Sequence, residues 1–179
     1  MLIAGNGYSV LSKFVFDGDT LNLNFQGEPF GSAQGKQFLA RLQWIDTPET
    51  RKPSIHTNTD PRIQAHWSWA ERAKTALMNL VYQKPLICIP IEKDRFDRWV
   101  CDLYLNNKVS ATNNVQIQLC KAGMAVSYLP YNRYSYTVRE LAVMRGIITE
   151  TANANRKKIG IWSEPSFILP HEFKKLNLS

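Results

Sequence analysis

The chain has 179 residues, of which 44% are hydrophobic, so it is long and apolar enough to fold around a sizeable core. Its 22 lysine and arginine residues exceed its 15 acidic residues, and the net charge of +7 favours a polyanionic partner, with nucleic acid ahead of an acidic membrane. The composition excludes a disordered chain, and the apolar runs are too short for a membrane-spanning helix.

The N-terminus and the cysteines give little information about location. Residues 1–6 lack the basic start and long apolar core of a signal peptide, so we expect either an intracellular protein or one whose leader precedes this numbering. Cys88, Cys101 and Cys120 have no CxxC spacing, and small buried side chains are favoured over a disulfide or metal site. His66 is interpreted as a surface or packing residue, not as a catalyst.

Three strands are predicted in the first third of the chain, at residues 8–16, 21–25 and 38–45. The first two are joined by Asp17-Gly18, which is a strong hairpin signal. A loop with glycine and proline at residues 27–35 precedes the third strand. We expect that strand to end at Thr47, because Pro48 keeps the residue before it in an extended conformation.

The spacing of apolar residues changes after a polar loop at residues 51–62. A helix is predicted from Gln64, with a buried face formed by Trp67, Ala70, Ala73, Leu77 and Leu80. Two further strands follow, at residues 86–91 and 99–105. The chain therefore has five predicted strands, with a helix between the third and the fourth.

Two more helices are predicted in the C-terminal half. The second contains Val115, Leu119 and Ala122 and ends at Gly123, a residue typical of helix C-termini. The third helix, of four or five turns, is marked by Leu141, Met144, Ile148 and Ala152 at helical spacing. The aromatic residues of the tail are expected to pack back onto the body of the protein; they are Trp162, Phe167 and Phe173.

These elements predict an α+β fold, a five-stranded β-barrel of the OB type with three helices. Barrels of this type present strand faces and loop mouths to oligonucleotides. We expect residues 1–179 to form a single domain, with a core spanning about residues 9–165.

Acidic and arginine residues stand where predicted strands end. Asp19 follows the hairpin turn, and Asp46 and Glu49 flank the proline corner, with Arg41 further back on the same strand. The two carboxylates of the corner, Asp46 and Glu49, together with the guanidinium of Arg41 suit metal-assisted attack on a phosphate. Carboxylate and carbonyl oxygens favour Ca²⁺ or Mg²⁺ over Zn²⁺, and the Thr47 carbonyl is a further candidate ligand.

Each of these residues also has a purely structural interpretation. Asp19 could serve only the turn, and the corner could be a helix N-cap. Arg41 could face solvent from its strand, and Arg98 could be a solvated charge on the turn between the fourth and fifth strands. Their co-occurrence in one order along the chain favours the functional interpretation.

Four segments resemble the staphylococcal-nuclease-like (thermonuclease) family in order and approximate spacing. They are VFDGDTL at residues 15–21, RLQWIDTPET at 41–50, DRFDR at 94–98 and IGIWS at 159–163. The resemblance implies an OB barrel with three helices and Ca²⁺-dependent hydrolysis of phosphodiesters in DNA and RNA, leaving 3′-phosphate ends. It implies nucleic acid as the partner, and we predict no protein partner.

The resemblance also implies roles for individual residues. Asp19, Asp46 and the Thr47 carbonyl match the metal ligands, and Glu49 matches the carboxylate that orients or deprotonates water. Arg41 and Arg98 match the catalytic arginines. Arg95 matches a basic position near the nucleotide, with Tyr131, or alternatively Tyr128, at the base-stacking position.

Asp97 departs from the family pattern, which usually has glycine before the second arginine. Its carboxylate could repel substrate, or pair with Arg98 and hold it away from the phosphate. The leading hypothesis is thus a metal-dependent endonuclease. The alternatives are a catalytically weak or inactive nucleic-acid-binding module of the same fold, and an interaction domain whose basic face binds a membrane or a protein.

Overall fold

The structure, a computed structural model, describes residues 2–26, 37–52, 60–129 and 135–176. Its longer strands are β1 (Tyr8–Val15), β2 (Thr20–Phe25), β3 (Gln37–Leu42), β5 (Leu86–Lys93) and β6 (Trp99–Leu105). They close into a barrel in the order β1-β2-β3-β6-β5. Two-residue strands, β4 (Ile45–Asp46) and β7 (Val126–Ser127), pair with each other beside it.

The helices described are α1 (Pro61–Val81), α2 (Val115–Lys121), α3 (Val138–Arg156) and α4 (Pro170–Phe173), and short 3₁₀ turns cover Ala111–Asn113, Gly160–Ser163 and Lys174–Leu176. The predicted α+β barrel and its three helices are confirmed. The fourth helix is a single turn in the tail that the sequence analysis did not predict. Within the described residues, no helix is both long enough and apolar enough to cross a membrane.

Apolar side chains at alternate positions of the strands fill the barrel. Leu21 and Leu23 are fully buried, and β2 pairs with β3 so that Leu21 lies opposite Ala40. β3 then pairs in parallel with β6, where Leu42 lies opposite Cys101. Each fully buried leucine stabilises the fold by roughly 1.5–3 kcal/mol. All three cysteines are buried and free, as their interpretation from sequence required.

The third strand is shorter than predicted, because the chain turns before it reaches Ile45. β3 ends at Leu42, and Trp44 adopts a left-handed conformation with φ of 62°. The Trp44 carbonyl accepts a hydrogen bond of 2.8 Å from the Tyr128 N–H, and Ile45 pairs opposite Ser127. The turn therefore gives Asp46 a new direction, back towards the barrel mouth.

Helix α1 begins a few residues before the predicted Gln64. The Asp60 side chain caps it by accepting a hydrogen bond of 2.8 Å from the Arg62 N–H, and Pro61 supplies a backbone preset for the first turn. The predicted face is confirmed where it is fully buried, at Trp67, Ala70, Ala73 and Leu77. This face places α1 against β1 and α2.

The third predicted helix is confirmed as α3, but most of the residues that mark it in the sequence lie outside its buried face. Val143 and Ile147 are buried, whereas Leu141 and Ile148 remain about half exposed. Two apolar stripes with helical spacing run along this helix, and contact with α2 selects between them. At Gly146 a Cβ would lie 2.4 Å from Ile117 of α2, so the helices approach closely on the observed side.

The tail packs onto the body as predicted. Gly123 and Gly160 both have φ near +65°, and a Cβ on either would lie 2.2 Å from a main-chain oxygen of the opposing segment. Further on, Phe173 is fully buried with Ile63 and Trp67 of α1. The tail is therefore attached both at the end of α2 and at the start of α1.

Candidate functional site

The predicted site residues that the structure describes lie around one mouth of the barrel. A cleft of about 770 Å³ opens there between the β1–β2 turn, the end of β3, the 46–49 corner, the β5–β6 turn and the tail. It is lined by charged and aromatic side chains: Asp17, Asp19, Arg41, Asp46, Glu49, Arg95, Phe96, Arg98, Tyr128, His171, Lys174 and Lys175.

Asp19 is held by the turn that precedes it. Its N–H donates to the Asp17 carboxylate over 3.0 Å. A Cβ on Gly18 would lie 2.8 Å from Thr47 and 2.9 Å from Ala73, so only glycine lets the turn approach the corner and α1. Burial, and then the neighbouring Asp19, raises the pKa of Asp17 to about 7.

The buried Asp19 carboxylate binds both the corner and β3. Its Oδ2 accepts hydrogen bonds from the Thr47 N–H at 3.1 Å and the Thr47 hydroxyl at 2.9 Å. The same oxygen forms an ion pair of 2.7 Å with Arg41 Nη1. Asp19 thus fixes the corner relative to the barrel.

Arg41 bridges two carboxylates with one guanidinium. Nη1 contacts Asp19, and Nη2 lies 3.2 Å from Asp46 Oδ1. Burial of Arg41 disfavours its charge, but the attraction of Asp19 and Asp46 outweighs that effect and the pKa of the guanidinium is raised. The side chain is 16% exposed, so one edge reaches the cleft.

Lys174 is a part of the site that sequence analysis missed. Its Nζ lies 2.7 and 2.9 Å from the two oxygens of Asp46 and 3.0 Å from Glu49 Oε1. Burial raises the pKa of both carboxyls, and Lys174 opposes that increase. No local motif marks this residue; the only signal was the prediction that the tail packs back.

His66 connects the corner to the tail. Its Nε2 accepts a hydrogen bond of 2.9 Å from the Glu49 N–H, so Nδ1 carries the proton and donates to the Ile168 carbonyl over 3.0 Å. The ring stacks against Phe173 with centroids 3.7 Å apart. Burial lowers the pKa of His66 to about 4, which keeps it neutral in this position. The packing interpretation of His66 is confirmed.

Arg98 reaches the cleft from the β5–β6 turn. Its Nε and Nη2 both lie 2.8 Å from Asp94 Oδ2, and Nη1 donates to the Thr20 hydroxyl over 3.4 Å. Of the two possibilities raised for Asp97, pairing with Arg98 does not occur, since Arg98 pairs with Asp94. The exposed carboxylate of Asp97 pairs with Lys93 instead, and the φ of 62° at this residue explains why glycine suits this position.

Two aromatic rings line the outer part of the cleft. Phe96 and Tyr128 are 63% and 58% exposed. The guanidinium of Arg95 lies 4.8 Å from the centroid of Phe96, and that of Arg98 lies 5.3 Å from it. Phe96 was not predicted as a site residue. Tyr131, the preferred stacking candidate, lies outside the described residues.

The carboxylate oxygens at the corner are suitable ligands for a hard metal cation, but in this structure they pair with arginine and lysine side chains. Asp19, Asp46 and Glu49 offer carboxylate oxygens, as Ca²⁺ prefers. Across the described residues, however, no group of three or more His, Cys, Asp or Glu side chains is arranged to hold a metal ion. Arg41 and Lys174 form the ion pairs of these carboxylates.

The fold and the mouth of the barrel together define an OB-type protein with a charged, ion-paired cleft. Comparison with protein families assigns it more narrowly. The model of the staphylococcal nuclease homologue family matches residues 40–164, and the chain belongs to that family. It is a nuclease family, so the general class is that of hydrolases acting on nucleic acid.

Individual relatives are distant but consistent with this assignment. The chain is 28% identical over 153 residues to staphylococcal-like nuclease CAN1 of Arabidopsis thaliana, and 26% identical over 161 residues to an uncharacterized endonuclease of Haemophilus influenzae. These matches cover 86% and 90% of this chain. They span 37% of the plant protein and 70% of the bacterial one. A third relative, protein ParB of Escherichia coli, is 22% identical over 165 residues, which are 90% of this chain and 76% of ParB.

Proposed function

We propose that this protein is an endonuclease that hydrolyses phosphodiester bonds in DNA and RNA with little sequence specificity. It uses calcium and leaves 3′-phosphate ends. One observation carries the proposal: Arg41 and Lys174 join Asp19, Asp46 and Glu49 into one ion-paired cluster, and Arg98 lines the same cleft. The family match supports the class of reaction.

Charge and aromatic surface favour a nucleic-acid substrate. Arg95 and Arg98 stand beside the exposed ring of Phe96 in the cleft, and the chain as a whole carries a net charge of +7. Guanidinium groups bind phosphates, and exposed aromatic rings stack on bases of any sequence. Tyr128 supplies a second ring in the same cleft. The substrate therefore enters as an extended or single-stranded segment across these groups.

The two arginines stabilise charge that develops on the phosphate during attack. Arg41 is held on both Asp19 and Asp46, so its fork is fixed in direction before substrate arrives. A preoriented donor of this kind contributes roughly 10²–10³-fold in rate. Arg98 is aligned by Asp94 in the same way.

Glu49 orients or deprotonates the attacking water. Its backbone is fixed by His66, and its partly exposed carboxylate lines the cleft. Burial raises the pKa of this carboxyl, which makes it a better base than a free glutamate. General-base assistance of this type contributes roughly 10²–10⁴-fold.

Calcium would be held by Asp19, Asp46 and the Thr47 carbonyl. When bound, it supplies positive charge for a phosphate oxygen and lowers the pKa of water. Asp19 and Thr47 lie next to each other, because the Thr47 N–H and hydroxyl both donate to Asp19. Asp46 is linked to both Arg41 and Lys174.

The proposal is tested by incubating the protein with plasmid DNA and single-stranded RNA, with Ca²⁺ or with a chelator. We expect both substrates to be degraded with Ca²⁺ and to survive with the chelator. Arg41→Ala, purified in the same way, controls for a contaminating nuclease. A gel shift without cleavage would contradict the enzyme and support a nucleic-acid-binding module.

A further inference from the structure

The tail places a positive charge directly between two carboxylates of the site. Lys174 Nζ lies within 3.0 Å of oxygens from both Asp46 and Glu49. One ammonium thus contacts the residue assigned as a metal ligand and the residue assigned to the attacking water. A divalent ion bound to Asp46 would need the space that this ammonium occupies.

The position of Lys174 is fixed by the fold. The preceding residue, Phe173, is fully buried and stacked on His66. His66 in turn binds the Ile168 carbonyl on the tail side and the Glu49 N–H on the corner side. The tail and the acidic corner are therefore attached to one buried ring, which sets the distance that the lysine side chain spans.

The carboxylates around the corner carry more negative charge than Arg41 alone neutralises. Asp19, Asp46 and Glu49 carry three negative charges when ionised, and Arg41 offsets one of them. A divalent ion would neutralise the remaining two, whereas the single charge of Lys174 neutralises only one. The ammonium and a divalent ion therefore compete for the same unbalanced charge.

We propose that Lys174 is a built-in competitor for the divalent cation and sets the affinity of the acidic corner for it. Cation entry displaces the ammonium from Asp46 and Glu49. The Lys174 side chain is 43% exposed, so it can move into the cleft while Phe173 stays buried. The inference rests on the proposed function, because that function assigns a calcium ion to this corner.

The test measures Ca²⁺ binding without substrate, by isothermal titration calorimetry. Lys174→Met keeps the length and apolar stem of the side chain and removes its charge. We expect this variant to bind Ca²⁺ at least about tenfold more tightly than the wild type. Lys108→Met is the matched control, because it removes the same charge from an exposed residue that does not line the cleft, and its affinity should stay close to that of the wild type.

Thermal unfolding of the same proteins checks their integrity. In chelator, Lys174→Met should melt below the wild type, because Asp46 and Glu49 lose their shared counter-ion. Added Ca²⁺ should raise its melting temperature by more than it raises that of the wild type. If Lys174→Met does not fold, Lys174→Gln replaces it in both measurements.

A second measurement uses the unaltered protein. A brief pulse of amine-reactive label, read by mass spectrometry, reports how accessible each lysine is. Lys174 should react faster in saturating Ca²⁺ than in chelator, with the exposed Lys108, outside the cleft, as the internal reference. An equal rate in both conditions would show that calcium does not displace the ammonium, and would overturn the proposal.

The remaining outcomes separate this inference from the proposed function. Unchanged or weaker Ca²⁺ binding in Lys174→Met, or no binding by any of the proteins, overturns the inference. Tighter binding without cleavage of nucleic acid by either protein leaves the inference standing and removes the nuclease. If the wild type cleaves nucleic acid in chelator and Lys174→Met does not, the Lys174 ammonium itself supplies the positive charge for cleavage. That result also overturns the proposal that Lys174 competes with the divalent cation.

Discussion

Arg41 donates from one guanidinium to two carboxylates that come from different turns of the chain. Lysine carries the same charge but cannot reproduce a planar fork. We therefore expect Arg41→Lys to lower the rate of nucleic-acid cleavage by roughly 10²–10³-fold while the protein stays folded. Cleavage is followed on a labelled oligonucleotide, with circular dichroism as the check on folding.

The matched control for that substitution is Arg62→Lys. Arg62 is exposed and forms its ion pair with Asp60 at the start of α1, away from the cleft. The Arg62→Lys variant should cleave nucleic acid at the wild-type rate. If Arg41→Lys also retained that rate, the guanidinium of Arg41 would have no role that a simple charge cannot fill.

Asp97 occupies a left-handed backbone position with an exposed side chain. Asp97→Gly should leave cleavage unchanged or increase it, because a carboxylate near the phosphate-binding surface is removed. It should also stabilise the fold by at most about 1 kcal/mol, since the relief of a positive φ is partly offset by the flexibility of glycine. Denaturant unfolding and steady-state cleavage measure the two effects.

Asp97→Asn separates charge from backbone conformation, because asparagine tolerates the left-handed region and is uncharged. Faster cleavage in both variants would indicate a charge effect. A large fall in activity with glycine would mean that Asp97, or its pair with Lys93, has a positive role in catalysis.

At the scale of elements, α1 and the tail hold the acidic corner through His66. The pKa of this histidine is about 4 in the fold, against 6.5 for the free side chain. As the pH falls from 6.5 to 4, the unfolded chain takes up a proton that the folded protein excludes, so stability is lost over that range. Above pH 6.5 the contribution is constant.

We expect His66 to account for roughly 3 kcal/mol of the acid-dependent loss of stability. His66→Gln keeps a polar side chain without a titrating ring. The difference in unfolding free energy between wild type and variant should increase from pH 4 to pH 6.5 and then level off. Parallel pH profiles for the two proteins would contradict the assignment of a neutral, buried His66.

The elements also show which structural features a sequence pattern can predict. The β1–β2 hairpin, the face of α1 and the glycine after α2 were predicted because turn residues and periodicity are local signals. The end of β3 was missed, because Trp44 turns left-handed without the glycine or asparagine that usually marks such a position. Periodicity alone does not identify the buried face of α3, because packing against α2 selects between its two apolar stripes.

Some site residues could likewise be predicted from local sequence motifs, whereas others are brought to the site only by the fold. Asp19, Arg41, Asp46 and Glu49 were found because strand ends and a proline corner concentrate them in short motifs. Lys174 contacts Asp46 across 128 positions of sequence, so only the folded tail brings them together. The choice of partner for Arg98 is likewise made by the folded turn, where Arg98 pairs with Asp94 and Asp97 pairs with Lys93.

At the scale of the whole molecule, the family assignment and the charge agree on a nucleic-acid substrate. Residues 40–164 match the nuclease family, and the net charge of +7 suits a polyanion. The chain matches different fractions of its relatives, 37% of the plant protein and 70% of the Haemophilus protein. The activity of this chain therefore has to be measured on the protein itself.

The most direct measurement compares the wild type and Glu49→Gln on a short single-stranded oligonucleotide with Ca²⁺, under single-turnover conditions. Mass spectrometry of the products reports the cleavage rate and the chemistry of the new ends together. We predict 3′-phosphate products from the wild type and a rate lower by roughly 10²–10⁴-fold in the variant. Equal rates in the two proteins, or no cleavage by the wild type, would contradict a hydrolytic site at this corner.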